Sequence, residues 1–160
     1  MVDDSKTSVT MAEPGTVLVI GGLGLIGRAV VELVEEAGRR CLVADLSASS
    51  AGKRQGVYDL DIADPESVIG LIEKMNSIKP RVEAVINCAY PKGSGYGSEV
   101  EKVEYRNFCE SLNLHLGGYF LIMQKFAEFF KANDGGHVIS FSSIYGSIAP
   151  RFEIYEGLHM

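Results

Sequence analysis

The stretch Thr16-Val17-Leu18-Val19-Ile20-Gly21-Gly22-Leu23-Gly24-Leu25-Ile26-Gly27 decides how this chain is read. An apolar run of strand character, residues 17–21, enters a turn with glycines at 21, 22, 24 and 27. An apolar-periodic helical segment, residues 29–37, leaves it. Strand, glycine turn and helix in this order make a cradle for a dinucleotide pyrophosphate. The glycines permit the turn and let the backbone approach phosphates whose charge meets the positive end of a helix. Gly21, Gly22, Leu23, Gly24, Leu25, Ile26 and Gly27 are therefore candidate cofactor-binding residues. A glycine pattern alone is weak evidence, so its weight depends on the rest of the chain.

Downstream of the turn, strands and helices alternate with short connections, which predicts an α/β fold with a parallel sheet covered on both faces. Gly38 closes the first helix. Further strands are expected at 40–45, 56–60, 84–89 and 137–141. Asp64-Pro65 marks a helix start, an N-cap followed by proline at the first helical position, and Val68, Leu71, Ile72 and Met75 form one apolar face. Residues 47–56 and 91–98 read as Gly/Ser-containing loops. The helical stretch 99–133 is too long for one helix and is expected to break near 104–107. Its later part carries Leu112, Leu116, Tyr119, Phe120, Met123, Phe126, Ala127 and Phe130 over a wide arc, which predicts burial on two sides, against the sheet and a partner subunit. Asn113, His115, Gln124, Lys125 and Glu128 interrupt residues 112–130, so this is not a membrane span.

At 160 residues, 46% hydrophobic and 22% charged, the chain fits one globular domain, residues 16–160, with room for a core. A net charge of −6 without a basic run argues against nucleic-acid or anionic-membrane partners. Residues 1–15 are polar, lack a signal-peptide core and read as a disordered tail. Cys41, Cys88 and Cys109 show no ligand-like spacing, so no metal site is expected. Cys41 and Cys88 fall in strand-like segments and read as buried thiols of a cytoplasmic protein.

Two acidic residues test the glycine turn. Asp45 lies 18 residues beyond Gly27, at the end of the second strand. A carboxylate there accepts from ribose hydroxyls and repels a 2′-phosphate, which selects NAD over NADP. The alternative is an Asp that simply ends a strand. Arg28, directly after the last glycine, keeps NADP open. Asp61 and Ile62 stand just past the third strand, where an adenine ring would lie, although helix-entry chemistry explains Asp61 equally well.

Taken together, Gly21-Gly22-x-Gly24-x-x-Gly27, Asp45, Asp61-Ile62, Asn87-Cys88-Ala89-Tyr90, Asn113 and Ser142-Ser143 resemble the short-chain dehydrogenase/reductase family. The stretches around 87–91, 108–121 and 143–157 resemble bacterial members linked to flagellin or surface-polysaccharide sugar modification. The resemblance implies a Rossmann-type doubly wound sheet of about five strands in the order 3-2-1-4-5. It implies an NAD(P)-dependent oxidoreductase acting on a sugar or sugar-nucleotide hydroxyl or ketone. Asn87 and Ala89 would steady the sheet beside the cofactor's adenosine half, and Asn113 would hold a relay water. Ser143, preferred to Ser142 by its distance from Gly146, would bind the substrate oxygen. His115 and Tyr145 read as packing residues.

One part of the family pattern is missing. The family uses a Tyr as acid–base, with a Lys four residues later lowering its pKa. Here Tyr155 is followed at that distance by His159, and no lysine occurs after Ser143. Either Tyr155 acts with His159, or residues 150–157 match an insertion and the chain stops before its catalytic helix. The second reading is preferred. The fold would then lack its C-terminal part, leave the fifth strand as an edge and bury the 112–130 face by homo-oligomerisation. A dinucleotide-binding module without turnover and an oligomeric structural fragment are the alternatives.

Overall fold

The computed structural model of the chain describes residues 14–52, 54–149 and 151–155. Five parallel strands lie in the order β3-β2-β1-β4-β5: β1 Thr16–Ile20, β2 Cys41–Asp45, β3 Val57–Asp59, β4 Val82–Asn87 and β5 His137–Ser140. The helices are α1 Leu25–Glu36, α2 Pro65–Met75, α3 Tyr105–Leu112 and α4 Gly118–Ala132. This is the expected Rossmann-type arrangement. β1 pairs with β2 on one side and with β4 on the other, so the chain reverses its direction of travel across the sheet between β1 and β4.

Strand β1 is buried at every position, and its side chains alternate between two cores. Leu18 and Ile20 join Leu42, Ala44, Val82 and Val85 under α2 (Val68, Leu71, Met75) and α4 (Ile122, Phe126, Phe129, Phe130). Val17 and Val19 join Val43 on the opposite face, where the helical residues come from α1: Val31, flanked by Val30 and Val34. One face is thus more heavily covered than the other. Cys88, Ala84 and Ile86 on the lighter face are only half-buried.

Most elements lie within a residue or two of their expected bounds, but α1 starts earlier. It begins at Leu25, directly after its N-cap Gly24, so the last glycine of the turn lies inside the helix. Asp64 caps α2 as expected, its Oδ1 accepting from the Glu66 N–H at 3.0 Å, with Pro65 following. Of the expected tail, residues 1–13 lie outside the described residues. Gly15 is tied down, its N–H donating to Glu83 Oε2 at 2.8 Å.

The long helical stretch breaks just before Tyr105, and a π-helical segment, Asn113–Gly117, follows α3. The wide apolar arc is only partly buried. Ile122, Phe126 and Phe130 face the core, while Leu112, Leu116, Phe120 and Met123 are exposed. Cys41 and Cys88 are half-buried rather than buried, and Cys109 is exposed. Burial pushes both half-buried thiols up to about 11, with Glu35 adding to the shift at Cys41 and Arg54 opposing it.

Candidate functional site

Residues at the carboxyl ends of β1, β2 and β4 open onto one groove of about 620 Å3, at the point where the strand order reverses. Open α/β sheets bind ligands at such a point, where diverging connections leave a crevice. Gly21, Gly24, Leu25, Ile26, Asp45, Asp61, Ile62 and Ala89 all line it. Eight of the expected cofactor residues, scattered from 21 to 89 in sequence, are therefore brought to one surface.

The glycine turn is tight for physical reasons. Gly21 has φ +71°, and a Cβ there would stand 2.6 Å from the Ala89 backbone nitrogen, closer than packing allows. A Cβ at Gly27 would collide with the Gly21 carbonyl oxygen, so only glycine lets α1 start so close to β1. Gly24 N–H closes the turn on Gly21 O at 3.1 Å. No acidic residue stands in the first turn of α1, and no side chain caps it. Its leading amides remain available to an anion.

Asp45 ends β2 with its carboxylate held by two backbone donors, Leu23 N–H at 3.0 Å and Ser47 N–H at 2.9 Å. Asp61 Oδ1 accepts from Ala63 N–H at 2.9 Å, and the Asp61 N–H donates to Ser67 Oγ at 3.0 Å. Its second carboxylate oxygen carries no such bond. Ile62 is buried, with Gly118 of α4 packed close against its side chain. Asn87 is fully buried, and its Oδ1 accepts from Ala89 N–H at 3.1 Å. Its Nδ2 is buried without a hydrogen-bond partner among the described residues. From the opposite side, the Tyr119 hydroxyl donates to Ala89 O at 2.6 Å. Asn87 and Tyr119 together fix the end of β4 beside the groove.

A groove with amide donors at a helix start, a carboxylate ending β2 and glycines where the chain passes closest fits a dinucleotide. A family model described as short chain dehydrogenase matches residues 15–156. The chain belongs to the short chain dehydrogenase family.

Relatives agree with this membership. The post-translational flagellin modification protein A of Campylobacter coli is 32% identical over 162 residues, spanning 94% of this chain and 63% of that protein. A short chain dehydrogenase from Leptospira borgpetersenii, solved with bound NAD+, has a TM-score of 0.74 at 25% identity, covering 88% of this chain and 56% of that one. A sorbitol-6-phosphate 2-dehydrogenase from Erwinia amylovora has a TM-score of 0.69 at 25% identity, covering 84% and 56%. The chain thus spans about 60% of the length of the relatives it matches.

Other expected residues of this family member lie apart from the groove. Gly22, Leu23, Gly27 and Asn87 support its walls without lining it. Asn113 is exposed and opens the π-helical segment. Ser143 is exposed at the cap of the short turn Ile144–Gly146, where its Oγ accepts from Tyr145 N–H at 3.2 Å. Neither residue lines the groove. Tyr155 ends the short turn Phe152–Tyr155, and His159 lies outside the described residues.

In the loop after β4, Lys92 and Tyr96 are not singled out by the sequence patterns above. Tyr90, Pro91, Lys92 and Tyr96 all line the groove. The Tyr90 ring stands 4.7 Å from His115 and 6.0 Å from Tyr96. Burial, then the neighbouring Tyr96, raises the Tyr90 hydroxyl above its ordinary range, so it is a neutral donor near neutral pH. A cation and two tyrosines in a loop leaving the carboxyl end of a strand were the available signal. Among the described residues, no helix is long and apolar enough to cross a membrane.

Proposed function

We propose that this chain holds a nicotinamide dinucleotide in the groove, NAD in preference to NADP, as part of an oxidoreductase acting on a sugar or sugar-nucleotide hydroxyl or ketone. The observation that carries the cofactor choice is Asp45. Its carboxylate lines the groove at the end of β2, pinned by Leu23 and Ser47, where it favours ribose hydroxyls and repels a 2′-phosphate. The dinucleotide supplies the hydride, while the chain's own residues bind and orient. The sorbitol-6-phosphate 2-dehydrogenase of similar fold supports a polyhydroxylated substrate.

In this reading Ser143 orients the substrate oxygen and Asn113 holds a relay water. Four residues after Tyr155 stands His159 rather than a Lys, so the pairing that lowers a tyrosine's pKa is not made at that position. Exposed Leu112, Leu116, Phe120 and Met123 support self-association through residues 112–130. Free cysteines support a cytoplasmic setting.

Titration with NADH and NADPH, read by nucleotide fluorescence, tests the cofactor assignment. Tighter NADH binding is expected, and equal or tighter NADPH binding overturns the preference. A second reading, favoured by His159 in place of a Lys four residues after Tyr155, is a dinucleotide-binding module with no reaction of its own. Turnover by this chain on any sugar ketone that is abolished by Tyr155→Phe would eliminate that reading and make Tyr155 the acid.

A further inference from the structure

Among the described residues, three charged ones line the groove: Asp45, Asp61 and Lys92. Two are carboxylates, so apart from the lysine the charged side chains of the walls oppose an anionic ligand. Lys92 is exposed, but its side chain has a neighbour. Its Nζ lies 4.6 Å from the centroid of the Tyr96 ring, within cation–π range, and Tyr96 lines the same groove.

The loop carrying both residues is fastened to α3. Ser94 donates to Glu110 Oε2 twice, from its N–H at 3.2 Å and its hydroxyl at 2.6 Å. Gly95 passes so close to α3 that a Cβ there would stand 2.7 Å from Asn107 Cβ. A cation held on an anchored loop loses less freedom on meeting a ligand than a mobile one.

We propose that Lys92, held over Tyr96, is the phosphate-binding cation of the groove. It meets the pyrophosphate of the dinucleotide from the loop after β4, while the glycine turn meets it with backbone N–H groups. Arg28, exposed on α1, does not line the groove. The assignment rests on the dinucleotide reading above and adds a contact outside the glycine turn.

Calorimetric titration of the chain with NADH, ADP-ribose and adenosine, at low and high salt, tests it. Lys92→Gln is expected to weaken NADH and ADP-ribose binding roughly three- to tenfold at low salt, since the lysine is exposed. Adenosine, which lacks phosphate, keeps its affinity, and the salt dependence of NADH binding flattens. Lys92→Arg and Tyr96→Phe retain binding, and Tyr96→Leu lies between wild type and Lys92→Gln. Equal loss for adenosine overturns the proposal, because it marks a packing role. Unchanged ADP-ribose binding by Lys92→Gln overturns the lysine's role alone. Wild-type protein that binds neither NADH nor ADP-ribose overturns the dinucleotide reading, and this assignment with it.

Discussion

The carboxylate of Asp45 accepts the N–H of Leu23 at 3.0 Å, so the acid ending β2 is bonded directly to the glycine turn leaving β1. Two parts of the groove that are 22 residues apart are thereby locked in one geometry. A second bond from Ser47 N–H leaves the carboxylate little freedom to turn away from the groove. Preorganised acceptors of this kind bind without a large entropy cost.

Asp45→Ala should therefore lower NADH affinity about tenfold or more and narrow the difference between NADH and NADPH, by loss of charge-assisted hydrogen bonds worth roughly 1.5–3 kcal/mol. Paired titrations with the two nucleotides measure this. An unchanged NADH-to-NADPH ratio would remove Asp45 from cofactor selection.

Gly27→Ala should destabilise the fold as well as the site. The added methyl meets the Gly21 carbonyl oxygen and the Gly22 Cα at 2.7 Å, both backbone atoms that cannot swing aside. A cost of roughly 1–3 kcal/mol is expected from overpacking, read as a lower urea midpoint with an unchanged slope. Gly70→Ala, where a Cβ meets nothing within 4 Å, is the matched control and should be neutral or slightly stabilising.

Phe126→Ala removes a fully buried ring packed against Phe129 at 6.0 Å and Phe130 at 6.0 Å. The loss should be about 3–5 kcal/mol in chemical denaturation, the transfer of the ring plus the cavity it leaves. Phe120→Ala, half-exposed on the same helix, should cost much less. Comparable losses would contradict the burial of the α4 face.

Glu83 sets an acid limit. Burial pulls its carboxyl upward, but the Arg39 guanidinium and the Gly15 N–H outweigh it and hold the pKa below its ordinary 4.5. A carboxyl depressed on folding contributes stability above its unfolded pKa and loses it as pH falls through the folded value. Wild-type stability should therefore fall on acidification below pH 4.5, while Glu83→Gln is less stable at neutral pH and shows a shallower fall. Denaturation midpoints against pH compare the two. Parallel curves would show that the Arg39–Glu83 pair contributes nothing.

Much of the fold was legible because its signals are local. The apolar run 17–20 of β1, the glycine turn and the Asp64-Pro65 helix start depend on neighbours in the chain, and the alternation of strand and helix leaves a parallel sheet as the arrangement that buries both faces. The lining of the groove was legible at Gly21, Gly24, Asp45 and Asp61 for the same reason: each lies at or just past the end of a strand, and parallel strands bring those ends together. What spacing could not supply was exposure. Asn113 interrupts an apolar stretch of the sequence, and in the structure it opens a π-helical segment and is exposed, as Leu112 and Leu116 beside it are.

The half-buried Cys88 and the groove-lining Lys92 show the same division. By itself the amino-acid order determined the element types, their alternation and the place of the glycine turn between β1 and α1. Only the tertiary structure decided that Asp45 is bonded to Leu23, that Asn87 and Tyr119 clasp the end of β4, and that Lys92 stands over Tyr96 at the groove. Periodicity records which way a side chain points within its own element. Contacts between loops depend on how several elements pack at once, and no local pattern carries that information.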